Sequence, residues 1–211
     1  IDDEVTSVDF KNNPLKVSTA SSTFEANSVI VCTGANPRKI GLDGEQTFAG
    51  KGVSYCATCD GAFFKNQELI VVGGGDSAME EATFLTKFAS NVTLIHRRDK
   101  FRASKIMQDR ALNNKKIDVI WNSEVIDLIG DEKTTGLQEV VLKNLVDNKI
   151  TNYKIDGLFL GIGHTPNSSL FKKYLTLDDN GYIITEPNSS KTSLKGVLLL
   201  EIFKIIIICK Q

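Results

Sequence analysis

The turn Val72-Gly73-Gly74-Gly75-Asp76-Ser77-Ala78 constrains this chain more than any other stretch. It follows a compact apolar run, Leu69 to Val72, and precedes residues at helical spacing from Ser77 to Ala89, where Ala78, Ala82, Phe84, Leu85 and Phe88 share a stripe. A strand, a glycine turn and a helix in that order fit the pattern G-x-G-x-x-A. Gly73 permits the tight turn, Gly75 lets backbone approach a pyrophosphate, and the small Ala78 lets helix pack on strand. The helix start then offers free N–H groups and a positive dipole end to phosphate. The surroundings repeat the rhythm: a second strand over 92–95, a helix over 101–113 and a third strand over 117–121. That alternation predicts a doubly wound α/β sheet. Residues 123–130, 137–146 and 149–154 read as a β-meander, and 156–162 as a buried strand ending in Gly163-His164-Thr165-Pro166. Toward the start, 4–10, 15–19 and 23–25 read as an antiparallel meander. Residues 28–32 form a buried strand that runs into Thr33-Gly34, and 35–50, with Pro37, read as a linker.

The end of the second strand selects the dinucleotide. An NAD site carries Asp or Glu there to hold a ribose 2′-hydroxyl. This chain has His96-Arg97-Arg98 and then Arg102. Guanidinium groups grip phosphate bidentately, so the cluster points to NADP(H). The plainer reading is a solvated basic patch, partly balanced by Asp99.

Lys and Arg number 25 against 26 Asp and Glu, a formal net charge of -1, where nucleic-acid or anionic-membrane binders are normally basic. No apolar run reaches the roughly 18 residues of a membrane helix. The opening, Ile1-Asp2-Asp3-Glu4, lacks a starting Met and any signal-peptide pattern, and is read as an incomplete N-terminus.

Four cysteines occur, at 32, 56, 59 and 209, and Cys56-Ala57-Thr58-Cys59-Asp60 is a C-x-x-C. A structural zinc would need two more ligands from His96, His164, Cys32 and Cys209, which form no second ligand pair. A dithiol/disulfide couple is favoured, because exchange needs one thiolate to attack and a second thiol to resolve the mixed disulfide. Asp60 is a candidate proton donor and acceptor, or simply a turn residue. A hydride donor reaches a disulfide through an intermediary, usually a flavin.

Thr33-Gly34-Ala35, the run from Gly52 to Gly61 (GVSYCATCDG), the glycine turn, the run from His96 to Ala103 (HRRDKFRA) and the run from Gly161 to Asn167 (GIGHTPN) appear in order. Together they resemble the small flavin-dependent, NADPH-using thioredoxin reductases. The resemblance implies a Rossmann-like NADPH domain, 42–160, inserted into an FAD domain of the same type, of which 1–41 and 161–211 are parts. It implies Cys59 as the flavin-side cysteine, Cys56 as the one that exchanges with thioredoxin, and Asp60 as acid/base. NADPH would lie on Gly73–Ala78, His96, Arg97, Arg98 and Arg102. Thr33, Gly34, Ile162 and Gly163 would also serve cofactor binding. It further implies FAD as second cofactor, a homodimer, a cytoplasmic or organellar location, a part in superoxide removal, and rotation of the inserted domain about Gly41, Leu42, Gly44 and Gly163–Asn167.

Two rival readings carry over: the flavoprotein subunit of an alkyl hydroperoxide reductase, and an NADPH-binding module without catalysis. The family opens with an FAD-binding strand and its own glycine motif, which lie before this chain's start. The family also reads Val-Phe-Ala-Ala-Gly-Asp where this chain has Val197-Leu198-Leu199-Leu200-Glu201-Ile202. Loss of one T converts the one into the other. The expectation is therefore a frame error, no selected structure from Leu198 onward, and doubtful FAD retention.

Overall fold

The computed structural model describes residues 2–200 and the backbone of 206–208. They divide into two compact units, Ile1–Asn36 with His164–Gln211, and Pro37–Gly163. In the first unit, β1 (Val5–Asp9), β2 (Leu15–Thr19) and β3 (Thr23–Ala26) form the expected antiparallel meander. The next strands are β4 (Ser28–Val31) and β5 (Ala35–Pro37).

The Pro37–Gly163 unit runs α1 (Asp43–Thr47), β6 (Val53–Ser54), α2 (Ala57–Asp60), β7 (Glu68–Val72), α3 (Asp76–Leu85), β8 (Asn91–Ile95), α4 (Lys105–Leu112) and β9 (Ile117–Ile120). Then come the meander strands β10 (Ser123–Asp131), β11 (Gly136–Asn144) and β12 (Ile150–Lys154), and last β13 (Gly157–Leu160). One parallel sheet in the order β6-β13-β7-β8-β9 forms the middle layer. Its side chains alternate as a pleat requires. Leu69, Val71, Val92, Leu94 and Phe159 enter one core with Ala78, Met79, Ala82 and Leu85 of α3. Ile70, Ile95, Leu158 and Leu160 enter a second core with Val125, Leu128, Val140 and Leu142 of the meander. Both faces are covered, which is why these strands read as unbroken apolar runs.

The chain returns to the first unit with β14 (His164–Pro166), paired with β5, and β15 (Val197–Leu199), parallel to β4. The backbone of Ile206–Ile208 (β16) pairs antiparallel with β4. Leu198 and Leu199 thus lie in a strand. The rest of the apolar tail, Cys209 included, lies outside the described residues.

Several local features depart from the sequence reading or were not foreseen by it. Residues 43–47 of the presumed linker are helical, because the Glu45 carboxylate, 2% exposed, accepts from Gly41 N (2.8 Å) and from the Tyr55 hydroxyl (2.9 Å). Residues 57–60 form a short helix capped by Cys56. Helix α3 stops at Leu85 short of Ala89, and Lys116 Nζ donates to the carbonyls of Thr86 and Ala89 beyond its end. Helix α4 begins at Lys105, not 101, because residues 102–104 bond instead to the glycine turn. The compact division falls at 36/37 and 163/164. Ile40 and Ile162 pack on the second core, which draws 37–41 and 161–163 into the middle unit.

Candidate active site

The glycine turn leaves the C-terminal end of β7, the central strand of the three that matter here. Gly73 has φ +152°, and a Cβ there would strike Gly161 O and come within 2.7 Å of Ala78 Cβ. Ala78 is fully buried, so its role is the close packing of α3 on the sheet. Gly74 lies against the His96 imidazole, with no room for a Cβ between them. Gly75 differs: nothing lies within 4 Å of where its Cβ would be. That open space beside the first turn of α3 is where a phosphate could meet bare backbone.

The loop after β8 is fastened to this turn. Arg102 N and Ala103 N both donate to Gly74 O (2.7 and 3.1 Å), and Ser104 N donates to Asp76 Oδ1 (2.6 Å). Asp76 is thereby a brace for the loop. His96 is 6% exposed and its Nε2–H donates to Lys100 O (3.0 Å). Phe101 and Trp121 pack beside the ring. Burial holds the His96 pKa below its usual value, and Arg98, Arg102 and Arg97 push the same way against the Lys100 carbonyl. His96 is a neutral support under the turn. The three arginines are exposed, and among the described residues none forms an ion pair.

One cavity of about 510 Å³ gathers most of the expected nucleotide residues: Gly73, Gly74, Gly75, Ser77, His96, Arg97, Arg98, Arg102, Ile162 and Gly163. Asp76 and Ala78 do not line it. Sequence reasoning missed Arg38, Lys39, Ile40 and the 123–125 segment, which do. The one available signal was a pair of adjacent basic residues inside a stretch read as linker.

Cys56 and Cys59 form a disulfide with Cα atoms 5.3 Å apart. Cys56 is half-buried and Cys59 exposed. Cys56 Sγ accepts from Cys59 N at 3.2 Å. Ser54, 3% exposed, organises the segment: its Oγ–H donates to Asp60 Oδ2 (2.7 Å), and its Oγ accepts from Cys56 N (3.1 Å). Ser54 was not singled out in the sequence. Neither cysteine nor Asp60 lines the 510 Å³ cavity.

In the other unit, Thr33, Gly34, Ala35, Pro166, Asn167 and Leu199 help to line a mainly apolar cavity of about 290 Å³. Gly34 has φ +61°, and Asn167 binds both Gly34 O, through its backbone N–H, and Thr33 O, through its side-chain amide.

Comparison with known proteins agrees with this geometry. Residues 1–200 match the pyridine nucleotide-disulphide oxidoreductase family. The chain is 47% identical over 198 residues to a thioredoxin reductase of Rickettsia typhi, covering 93% of this chain and 64% of that protein. It is 49% identical over 199 residues to thioredoxin reductase 2 of Arabidopsis thaliana, covering 92% of this chain and 52% of that one. The crystal structure of thioredoxin reductase from Giardia duodenalis superposes with a TM-score of 0.82 at 38% identity, covering 94% of this chain and 65% of that one. The chain therefore spans less than two thirds of the length of these relatives.

Proposed function

The chain belongs to the pyridine nucleotide-disulphide oxidoreductase family, and from that premise we propose that it is the part of a thioredoxin-disulfide reductase that bears the NADPH site and the redox disulfide. The observation that carries the reading is the Cys56–Cys59 disulfide in the same compact unit as a glycine turn whose cavity three arginines line.

Arg97, Arg98 and Arg102 hold the 2′-phosphate of NADPH, while the open backbone at Gly75 and the first turn of α3 receive the pyrophosphate. The space a Cβ would fill at Gly75 is the fit this cofactor needs. FAD fits less completely: a 290 Å³ cavity beside Thr33, Gly34 and Asn167 takes only part of it. The chemistry a bound flavin supplies is the conversion of a hydride donor into a disulfide reductant.

In the reduced protein, the Cys59 N–H aimed at Cys56 Sγ favours the thiolate on Cys56. That thiolate attacks one sulfur of the thioredoxin disulfide, and the other thioredoxin sulfur leaves as thiolate. Cys59, as thiolate, then attacks Cys56 Sγ, re-forms the intramolecular disulfide and releases the second thioredoxin sulfur. Asp60, held by Ser54, carries the protons these thiolates lose and gain. The Ile1–Asn36 and His164–Gln211 unit is assigned to the FAD domain and the Pro37–Gly163 unit to the NADPH domain, a few residues from the 41/42 and 160/161 bounds expected from the sequence. Gly41 (φ +84°) and Gly163 (φ +89°) are left-handed positions suited to a hinge. The homodimer and the cytoplasmic location rest on the resemblance alone.

The test combines nucleotide titration with thiol mapping. NADPH is expected to bind far more tightly than NADH, and Arg97→Ala/Arg98→Ala to abolish the difference. Mass spectrometry after alkylation should find Cys56 and Cys59 linked when oxidised and both labelled after dithiol treatment. Equal affinity for the two nucleotides, or a stoichiometric zinc ion on the cysteines, would refute the proposal.

A further inference from the structure

The sheet order places β7 between β13 and β8, so the glycine turn has one neighbour on each side at the C-terminal edge of the sheet. On the β8 side stand Arg97, Arg98 and Arg102. On the β13 side the chain continues from Leu160 into Gly161-Ile162-Gly163, and Arg38 N donates to Gly163 O at 2.9 Å. That bond brings Arg38 and Lys39 to the same 510 Å³ cavity from the opposite flank. Neither forms an ion pair among the described residues, and Lys39 Nζ rests on a neutral acceptor, Gln46 Oε1, at 3.1 Å. The cavity has five cationic side chains on its wall and a single acidic one, Glu124. Three of the five suffice for a 2′-phosphate, so the other two call for a second anionic group.

We propose that Arg38 and Lys39 grip the nicotinamide-side phosphate of the dinucleotide, so that NADPH is held from both flanks of the glycine turn. The inference rests on reading this cavity as an NADPH site. Its logic is positional. A dinucleotide with its 2′-phosphate on the β8 side and its pyrophosphate over the middle strand extends its nicotinamide half toward β13. The adenosine half ends at the turn. A fragment made of that half alone never reaches Arg38 or Lys39. The two residues therefore add affinity for the whole dinucleotide without choosing between NADPH and NADH, a division of labour opposite to that of the arginine loop.

Adenosine 2′,5′-bisphosphate is the fragment that separates the two flanks. Calorimetric titration of the 211-residue chain with NADPH and with this fragment belongs at physiological salt, where the ~8 Å Debye length confines charge effects to near neighbours. The Arg38→Ala/Lys39→Ala variant is expected to bind NADPH about tenfold more weakly and the fragment within about twofold of the unaltered chain. The charge-preserving Arg38→Lys/Lys39→Arg variant should keep most of the NADPH affinity, and an unchanged melting temperature shows that the fold is intact. Unaltered NADPH binding by the double alanine variant overturns the inference, and so does an equal loss for both ligands. If the unaltered chain binds neither ligand, the NADPH reading itself fails instead.

Discussion

Glu81 on α3 has a buried Oε2 with no hydrogen-bond partner among the described residues, and burial first, then the charge of Glu80, pushes its carboxyl up to about 7 from 4.5. Between those two values the unfolded chain gives up a proton that the folded chain keeps, so stability falls as pH rises through the window. Glu81→Gln is expected to raise stability at pH 8 by about 1–2 kcal/mol, a figure discounted for partial screening by solvent, and to change little near pH 4.5. Denaturant melts at both pH values check it; an equal effect at the two would be wrong for this cause. His96 carries the opposite sign. Its folded pKa is lowered, chiefly by burial, so its contribution is present above about 6.5 and is lost as pH falls through the folded value. Thermal melts from pH 7 to pH 5 should fall more steeply for the unaltered chain than for His96→Asn. Parallel slopes would place the acid sensitivity elsewhere.

Helix α1 is five residues long and contains a glycine, so no periodicity announces it. What makes it is one buried carboxylate that receives a backbone N–H from Gly41 and a hydroxyl from Tyr55, the residue before Cys56. Burial and that carboxylate push the Tyr55 phenol up to about 12. Glu45→Ala leaves both donors without an acceptor and is expected to cost about 2–3 kcal/mol in chemical denaturation. A loss below about half a kcal/mol would show that water takes over both bonds. This helix also marks the limit of the sequence. The parallel strands, α3, the glycine turn and the arginine loop were legible because their signals are local: an apolar run, a 3.6-residue stripe, a fixed spacing. The start of α4 was misplaced because residues 102–104 spend their N–H groups on Gly74 and Asp76, a bargain struck across the fold. Ser54 and Glu45 act through partners that the core supplies, with no local signal, and the adjacent basic pair Arg38-Lys39 reaches the cavity only because the sheet order places β13 beside the glycine turn.

At the scale of the whole molecule, the two cavities differ in how far their ligands would be enclosed. The 510 Å³ cavity has five cationic side chains on its wall, whereas the 290 Å³ cavity has room for only part of an FAD. The 211-residue polypeptide is thus expected to purify without flavin absorbance yet to bind NADPH; a yellow preparation that reduces thioredoxin would contradict this. The division into units also sets an order of assembly during synthesis. Pro37–Gly163 is one continuous stretch and can close its sheet as soon as β13 emerges from the ribosome. Among the described residues, the parallel partner of β4, Val197 opposite Val29, comes about 170 residues later, so that one pairing forms only after the Pro37–Gly163 sheet can close. Until that pairing forms, the backbone N–H and C=O groups on this edge of β4 are open to other extended strands, which makes Val29–Val31 the segment of the newborn chain most in need of shielding.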